Sequence, residues 1–434
     1  MKGLQGIKVV DLTQYVAGPA CPRLLAELGA TVYKIEPFTG DEQRTQGAGW
    51  GVRKTEIDDP AYDLSSTNRQ WLAINLKSPE GMEFLHKLLA EADVFCTSFR
   101  SGALARLGLD YETVSAKFPH LVWAQMRGYG ERGVERDTRG FDATAYSARG
   151  GLVMSFPQAN EHFEPGNAPA AIGDFNASQM LASGILAALV RKLMTGKGDK
   201  VTVNLYHAAL FSMSTAILAR QHGTEFPKNR RNAPCPTNNA YQTRDGVWFL
   251  MCFGHYNKYF ELVMSTIGLD HLIGNKDYDT LEVVLEHGRN SQVIAWMEEA
   301  FAKEDYEYWA KLFREREIPF QKCFTIDDIL VDEEAFDNDA LRKVHYDAFG
   351  EQTITTTPVR LGSVGDPVLH RSRPIGYDTR ETMKKYGYSD VDIDALNASG
   401  AVLCYAGPEL PDSVLTPSYG PGSEAPLTVH SCGA

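Results

Sequence analysis

The chain has 434 residues, of which 43% are apolar and 23% charged, and its formal net charge is -13. Because one small hydrophobic core does not organise a chain of this length, we expect two domains. The acidic balance argues against binding to nucleic acid, which requires a basic face that neutralises phosphates. The longest nearly apolar run, residues 208–219, is shorter than the roughly 20 residues of a membrane span. We therefore expect neither a nucleic-acid partner nor a membrane.

The N-terminal segment and the cysteines indicate the compartment. The first residues enter a strand pattern directly, without the apolar segment and cleavage site of a secretory signal, which predicts a cytoplasmic protein. The seven cysteines stand singly, with no CxxC pair, and this argues against a disulfide framework. The histidines form no HExxH motif or Cys/His cluster, so the sequence predicts no metal site.

Strand and helix patterns alternate over the first 130 residues. Residues 7–12 and 31–36 have the apolar runs of buried strands, and 21–29 between them predict a short helix. Residues 78–92 predict a second helix, with Ser78 as its N-cap and one apolar stripe formed by Phe84, Leu85, Leu88 and Leu89. Strands separated by helices imply a parallel sheet with right-handed crossovers, the core of a doubly wound α/β fold.

The second half of the chain has a different organisation. Residues 176–220 predict a long helix, a strand and a further helix, and the polar, turn-rich segment 227–239 predicts a linker. A hairpin pattern around Asp245 and Gly246 and amphipathic helices follow. The C-terminal segment is rich in Pro, Gly and Ser without periodicity, as in a loose tail. The predicted domains are a large domain of residues 1–225 and 326–410, a small domain of 226–325, and a flexible tail of 411–434.

The segment GYGERG, residues 128–133, matches the G-x-G-x-x-G pattern and follows a predicted strand. A dinucleotide-binding fingerprint also needs an apolar helix that begins at the third glycine. The residues that follow, VERDTRG, are charged and start no helix. We therefore predict a loop after a sheet strand, where ligand contacts are common.

A carboxylate, Asp174, stands between Gly173 and an apolar helix pattern in AAIGDFNASQM. One interpretation is a helix cap, which satisfies orphan amide groups. The other is a nucleophile, since an unperturbed aspartate is ionised at neutral pH and needs no base. In that case Gly173 would leave room for a large substrate, and the amides of the helix N-terminus would stabilise negative charge. These residues alone leave both interpretations open.

Several stretches together resemble the family III coenzyme A transferases, a group that includes formyl-CoA, carnitine-CoA and 2-hydroxyacyl-CoA transferases and α-methylacyl-CoA racemases. They are GIKVVDLTQYVAGPACPRLLAELGATVYKIE, AINLKSPEG, ADVFCTSFRSGALARLGL and GDFNASQMLASGILAAL. The resemblance implies a Rossmann-like large domain, a smaller inserted α+β domain and two ring-like chains interlocked as a homodimer. It implies an acyl-CoA and a carboxylic acid as substrates, with no cofactor other than the coenzyme A that the substrate carries.

The resemblance assigns roles to two aspartates. Asp174 matches the family's nucleophile, which forms an aspartyl-CoA intermediate, and Asp142 would support it. Phe141 stands where the racemases have a histidine, and a phenylalanine cannot move a proton, which favours transfer over racemisation. A racemase or epimerase and a non-catalytic acyl-CoA-binding paralogue remain the alternatives.

The resemblance also implies a CoA-binding set. Arg106 would lie near the adenine and its phosphate, because a guanidinium both stacks on a base and binds phosphate in a fork. Val16 and Pro37 replace a glutamine and an arginine of formyl-CoA transferase, and Val16 with Phe141 suggests a more apolar acyl pocket. The other members of the set are Ile74, Asn75, Leu76, Lys77, Ser98, Phe99, Arg100 and Arg139.

Overall fold

The computed structural model describes residues 3–156, 164–166 and 168–417. The chain divides into two compact units. The first comprises Met1–Leu152, Asn167–Ile217 and Glu333–Ala434, and the second comprises Val153–Gly166 and Leu218–Asp332. The domain boundaries given by the sequence remain predictions. No helix in the described part of the chain has the length and apolarity needed to cross a bilayer.

The described strands run in chain order as follows: β1 Lys8–Leu12, β2 Thr31–Glu36, β3 Gln70–Ile74, β4 Val94–Thr97, β5 Val122–Arg127, β6 Lys200–Asn204, β7 Asn238–Gln242, β8 Trp248–Cys252, β9 Phe320–Lys322, β10 Leu341–Tyr346, β11 Gly350–Thr355 and β12 Val402–Leu403. The described α-helices are α1 Ala17–Glu27, α2 Pro60–Ser66, α3 Pro79–Glu91, α4 Ser101–Leu107, α5 Tyr111–Lys117, α6 Leu152–Ser155, α7 Ile172–Thr195, α8 Leu205–Ser212, α9 Ser214–Gln221, α10 Tyr256–Thr266, α11 Leu281–Glu286, α12 Asn290–Phe301, α13 Tyr306–Glu315, α14 Ile326–Ile329, α15 Glu333–Asp337, α16 Thr379–Lys385 and α17 Asp390–Ala398.

A single sheet of seven described strands organises the first unit, in the order β12-β3-β2-β1-β4-β5-β6. Neighbouring strands are parallel except for β12, which pairs with β3 in the antiparallel direction. The strand order reverses between β1 and β4, and such a reversal opens a crevice at the carboxyl ends of the strands. The predicted α/β fold with a parallel central sheet is confirmed.

Both faces of this sheet are buried, because side chains alternate along each strand. Val9 belongs to one apolar cluster, which includes residues of α1 and α7, and its neighbour Val10 belongs to another, which includes residues of α3. The Ser78 hydroxyl accepts the Gly81 N–H at 3.2 Å, as expected of the N-cap of α3. The predicted apolar stripe of this helix is fully buried: Phe84, Leu85, Leu88 and Leu89.

The second unit contains a smaller sheet in which β7, β8 and β9 pair in the antiparallel direction. The predicted turn at Asp245 and Gly246 joins β7 to β8, and Gly246 has a φ of +80°. Strand β7 already begins at Asn238, inside the segment predicted as linker, because Asn238 pairs with Cys252. Helices α10, α12 and α13 supply the apolar core around Phe249.

The segment predicted as a loose tail is partly packed. Within residues 411–417, Pro417 forms a β-bridge with Val344 of β10, and Val414 forms one with His370, which lies after the hairpin of β10 and β11. This differs from the prediction because Leu415, 1% exposed, completes a small apolar cluster with Val344. The rest of the predicted tail, residues 418–434, lies outside the described residues.

Candidate active site

A cavity of about 360 Å³ opens in the first unit where the strand order reverses. Gln14 and Tyr15 reach it from the loop after β1, Ser98 to Arg100 from the segment after β4, and Gly128 from the loop after β5. These segments converge because parallel strands present their carboxyl ends at one edge of the sheet. Asp174 lines the same cavity from α7. The predicted ligand-contact loop 128–133 thus begins at this cavity.

Asp174 lies in the first turn of α7, which begins at Ile172. The helix therefore starts four residues earlier than the sequence pattern predicts. The preceding residue, Ala171, occupies the N-cap position with a φ of +67° and makes no side-chain cap bond. Asp174 is thus not the N-cap of its helix, and among the described residues no hydrogen-bond donor is paired with its carboxylate.

Asp142 supplies the cap that α7 lacks locally. Its Oδ1 atom accepts the N–H groups of Gly173 at 2.6 Å and of Asp174 at 3.2 Å. Asp142 is 8% exposed and begins a π-helical segment that extends to Ala148. Two orphan amides at the helix N-terminus are satisfied by this carboxylate, so the negative charge that these two amides stabilise is that of Asp142.

Gly173 serves close packing rather than substrate access. A Cβ atom at this position would lie 2.1 Å from Cγ of Tyr146 and 2.6 Å from Oδ1 of Asp142. Only glycine permits this approach of the α7 backbone to its capping carboxylate. The sequence-based expectation that Gly173 leaves room for substrate is therefore corrected.

The two carboxylates influence each other. Burial, together with the negative charge of Asp142, raises the pKa of Asp174 to about 7. Burial also raises the pKa of Asp142, against the opposing effect of the amides of Gly173 and Asp174. The sequence argument takes Asp174 as fully ionised at neutral pH, and the structure corrects this, because burial leaves the group about half protonated at pH 7.

Four arginines also line the cavity. Arg100 and Arg139 were predicted from the sequence, whereas Arg127 and Arg136 were not. Arg127 is held by the Ser101 hydroxyl at 2.7 Å and by the carbonyl oxygen of Arg136 at 2.7 Å. The position of Arg127 at the end of β5 could have indicated that it lines the cavity, since the carboxyl ends of the strands lie at the ligand-binding edge of such a sheet. This group concentrates positive charge within an acidic chain and suits phosphate or carboxylate ligands.

The cavity brings together part of the predicted CoA-binding set. Ser98, Phe99, Arg100, Arg139 and Phe141 line it, and the others do not. The side chain of Val16 is buried, and Arg106 is exposed at the end of α4. The segment Ile74, Asn75, Leu76 and Lys77 lies at and just after the end of β3, which is two strands from β1 in the sheet. The roles of all these residues in CoA binding remain predictions.

Two further cavity residues were missed by sequence reasoning. Tyr15 has a φ of +66°, unusual for a residue other than glycine, and its hydroxyl donates to Oε2 of Glu42. The Tyr15 ring contacts the exposed ring of Phe141 edge to face, with centroids 5.4 Å apart. Nothing in the local pattern at residue 15 indicates this conformation.

The fold and the cavity define a class of protein: an α/β enzyme with a buried carboxylate beside a cationic pocket at the reversal of its sheet. Residues 4–379 match the sequence model of CoA-transferase family III. The chain belongs to this family. The prediction that it is a CoA-transferase is confirmed by this match and by the relatives that follow.

Two curated relatives are 36% identical to the chain. One is (R)-2-hydroxy-4-methylpentanoate CoA-transferase of Clostridioides difficile, with 92% of this chain and 99% of the relative covered. The other is cinnamoyl-CoA:phenyllactate CoA-transferase of Clostridium sporogenes, with 92% and 97% covered. Among solved structures, a CAIB/BAIF family protein from Brucella suis has a TM-score of 0.70 at 22% identity, over 88% of this chain and 98% of that chain. This likeness shows that the fold is shared.

Proposed function

We propose that the chain moves CoA between an acyl-CoA thioester and a free carboxylic acid through an aspartyl-CoA intermediate on Asp174. The observation that carries this proposal is the position of the Asp174 carboxylate, which lines a cavity with four arginines and has no hydrogen-bond donor among the described residues. Its backbone is fixed by Asp142. A carboxylate held in this way is available as a nucleophile.

The reaction proceeds through two anhydrides. The Asp174 carboxylate attacks the thioester carbonyl, the C–S bond breaks, and a mixed anhydride and CoA thiolate form. The thiolate then attacks the aspartyl carbonyl, which gives aspartyl-CoA and releases the donor acid. The acceptor carboxylate attacks aspartyl-CoA, and the expelled thiolate attacks the acyl carbonyl of the new anhydride. The products are the new acyl-CoA and free Asp174.

The acyl groups we propose are branched or aryl, including 2-hydroxy acids. The two relatives named above act on acids of this kind, according to their names. The cavity wall offers apolar surface from Met126, Phe141 and Leu205, which suits such groups better than a small dianion. Racemisation is the weaker alternative because Phe141, at the position of the racemases' histidine, cannot act as an acid or base.

The fate of one oxygen atom tests the covalent route. Each turnover leaves Asp174 with one oxygen from the acceptor acid, since the thiolate cleaves the second anhydride at the acyl carbonyl. After a single turnover with an acceptor labelled in both carboxylate oxygens by ¹⁸O, we expect one label on Asp174, detected by mass spectrometry in peptide 150–191. Hydroxylamine added with acyl-CoA should trap the same residue as a hydroxamate.

The control is incubation of the enzyme with labelled acid and no acyl-CoA, which should leave Asp174 unlabelled. Transfer without label or hydroxamate at Asp174 would contradict the covalent route and indicate direct transfer between the two substrates. Exchange of the α-proton without any need for an acceptor acid would instead identify a racemase.

We expect Arg100→Ala to weaken the binding of every acyl-CoA alike, because coenzyme A is the part that all donors share. Loss of a charge-assisted contact costs about 1 to 3 kcal/mol of binding free energy. The measurement is the dissociation constant of several acyl-CoA donors for the wild type and the variant. Arg380→Ala is the matched control, since Arg380 pairs with Asp390 and Asp394 and does not line the cavity. A change in donor preference at constant CoA affinity would place Arg100 at the acyl group. Arg106→Ala would test whether coenzyme A extends along α4.

The doubly wound large domain with an inserted α+β domain, the interlocked ring-like homodimer and the cytoplasmic location form part of the same proposal. Exposed apolar side chains on α7 and α8 support a second copy as partner: Val190, Leu193, Met194 and Phe211. Light scattering of the purified protein at several concentrations measures the mass, and a monomer at all of them would contradict the homodimer.

A further inference from the structure

We infer that Tyr15 and Glu42 recognise the 2-hydroxyl group of a 2-hydroxyacyl substrate, and so determine the specificity of the transfer. The inference rests on the proposed function, because it concerns the acyl group that Asp174 attacks. It starts from the placement of both side chains on the wall of the cavity that Asp174 lines.

Tyr15 is held in place from behind by a buried ion pair. Lys34 Nζ lies 2.8 Å from Asp41 Oδ2, and neither side chain is exposed. The other oxygen, Asp41 Oδ1, accepts the backbone N–H of Tyr15 at 3.0 Å. A φ of +66° costs free energy at a tyrosine, so this network fixes a backbone conformation that the residue does not favour. The point at which the Tyr15 side chain leaves the backbone is thereby fixed.

At the polar end of the cavity wall, Tyr15 and Glu42 together offer hydrogen-bond acceptors. The Tyr15 hydroxyl donates its proton to Oε2 of Glu42, which leaves the lone pairs of the phenolic oxygen available. Within the described part of the chain, Oε1 of Glu42 has no hydrogen-bond partner. Burial and the bond to Glu42 raise the pKa of Tyr15 to about 12, so the phenol keeps its proton at neutral pH. A substrate hydroxyl can therefore donate to this pair.

The other end of the wall is apolar. The Phe141 ring meets the Tyr15 ring edge to face at an interplanar angle of 82°, and both rings face the cavity. A 2-hydroxyacyl group with a branched or aryl side chain fits this wall, because its hydroxyl can bond to Tyr15 and Glu42 while its hydrocarbon part packs on the Phe141 ring. An acyl group without the hydroxyl would leave Oε1 of Glu42 without a hydrogen-bond donor once water is displaced, which disfavours that acyl group.

The experiment compares 2-hydroxy-4-methylpentanoyl-CoA with 4-methylpentanoyl-CoA as donors, each with the same acceptor acid. In the wild type we expect a higher kcat/KM for the hydroxylated donor. Tyr15→Phe and Glu42→Gln should each lower the ratio of the two values by at least about tenfold, while the dissociation constant of free CoA stays unchanged. Tyr405→Phe is the matched control, since Tyr405 lines a different cavity, and it should keep the wild-type ratio.

Three results would overturn the inference. The wild type could show no preference for the hydroxylated donor, or both variants could keep the wild-type ratio even where they lose activity, as expected of residues with a purely structural role. In these two cases transfer persists in the wild type and the proposed function stands. Absence of transfer from both donors in the wild type would also overturn the inference, and transfer from an aryl acyl-CoA then tests the proposed function separately.

Discussion

Asp174→Asn is expected to lower CoA transfer by at least about a thousandfold, because a carboxamide cannot form the anhydride through which the thioester bond is exchanged. The substitution keeps the size of the side chain, so the cavity and the cap from Asp142 remain. The measurement is the rate of acyl-CoA formation from a donor thioester and an acceptor acid. A folded variant that retains more than about a hundredth of the wild-type rate would contradict the covalent role.

The same substitution is expected to stabilise the protein at alkaline pH. The pKa of Asp174 is about 7 in the folded chain and 3.8 as the reference value, so the folded state holds its proton more tightly than the unfolded state. Wild-type stability therefore falls as the pH rises from about 4 to 7, and asparagine removes this loss. The expected gain is small near pH 4 and about 2 to 4 kcal/mol at pH 8.

Denaturant unfolding of both proteins at pH 5 and pH 8 measures this difference. Asp337→Asn is the control, since Asp337 is exposed at the end of α15, and it should change neither activity nor the pH dependence of stability. A variant less stable than the wild type at pH 8 would show that the Asp174 carboxylate has a stabilising partner.

The fold could be predicted well where local patterns determine it. Residues 31–36 form β2 with the predicted bounds, and the apolar stripe from Phe84 to Leu89 is buried. Both could be predicted because the spacing of apolar residues along a strand or helix reflects the face that packs against the core. The start of α7 was missed because its N-cap is Ala171, which has no capping side chain, and the capping oxygen comes from Asp142, 31 residues before Gly173.

The site could be predicted only in part. Asp174 and Arg100 were found through the resemblance to a family, which fixes positions that the residues alone leave open. The acidity of Asp174 could not be found in this way, since burial and the nearby Asp142 charge arise only from the folded arrangement. Tyr15 gave no signal either, because its positive φ depends on a buried pair formed by Lys34 and Asp41.

Asp142→Asn is expected to shift the acid limb of the kcat/KM profile to lower pH. In the wild type the Asp174 carboxylate is the reactive form, so kcat/KM should rise with pH through about 7. An asparagine oxygen at residue 142 can still accept the amides of Gly173 and Asp174, but it carries no negative charge. Removal of a like charge lowers the pKa of Asp174. Since only about a tenth of wild-type Asp174 is ionised at pH 6, the variant can gain up to about tenfold in rate there.

Asp142→Ala separates this charge effect from the capping effect. It also removes the charge, but it leaves two amides of α7 without their acceptor, which costs about 1 to 3 kcal/mol of stability. The profile of kcat/KM between pH 5 and 9, with the free energy of unfolding, distinguishes the two variants.

An acid limb that stays in place or moves to higher pH in Asp142→Asn would show that the Asp142 charge does not act on the nucleophile. If the limb moves down in both variants and stability falls only in the alanine variant, then the Asp142 charge holds Asp174 partly protonated at neutral pH. The oxygen of the same residue then holds the nucleophile's helix in place, and the two effects belong to one side chain.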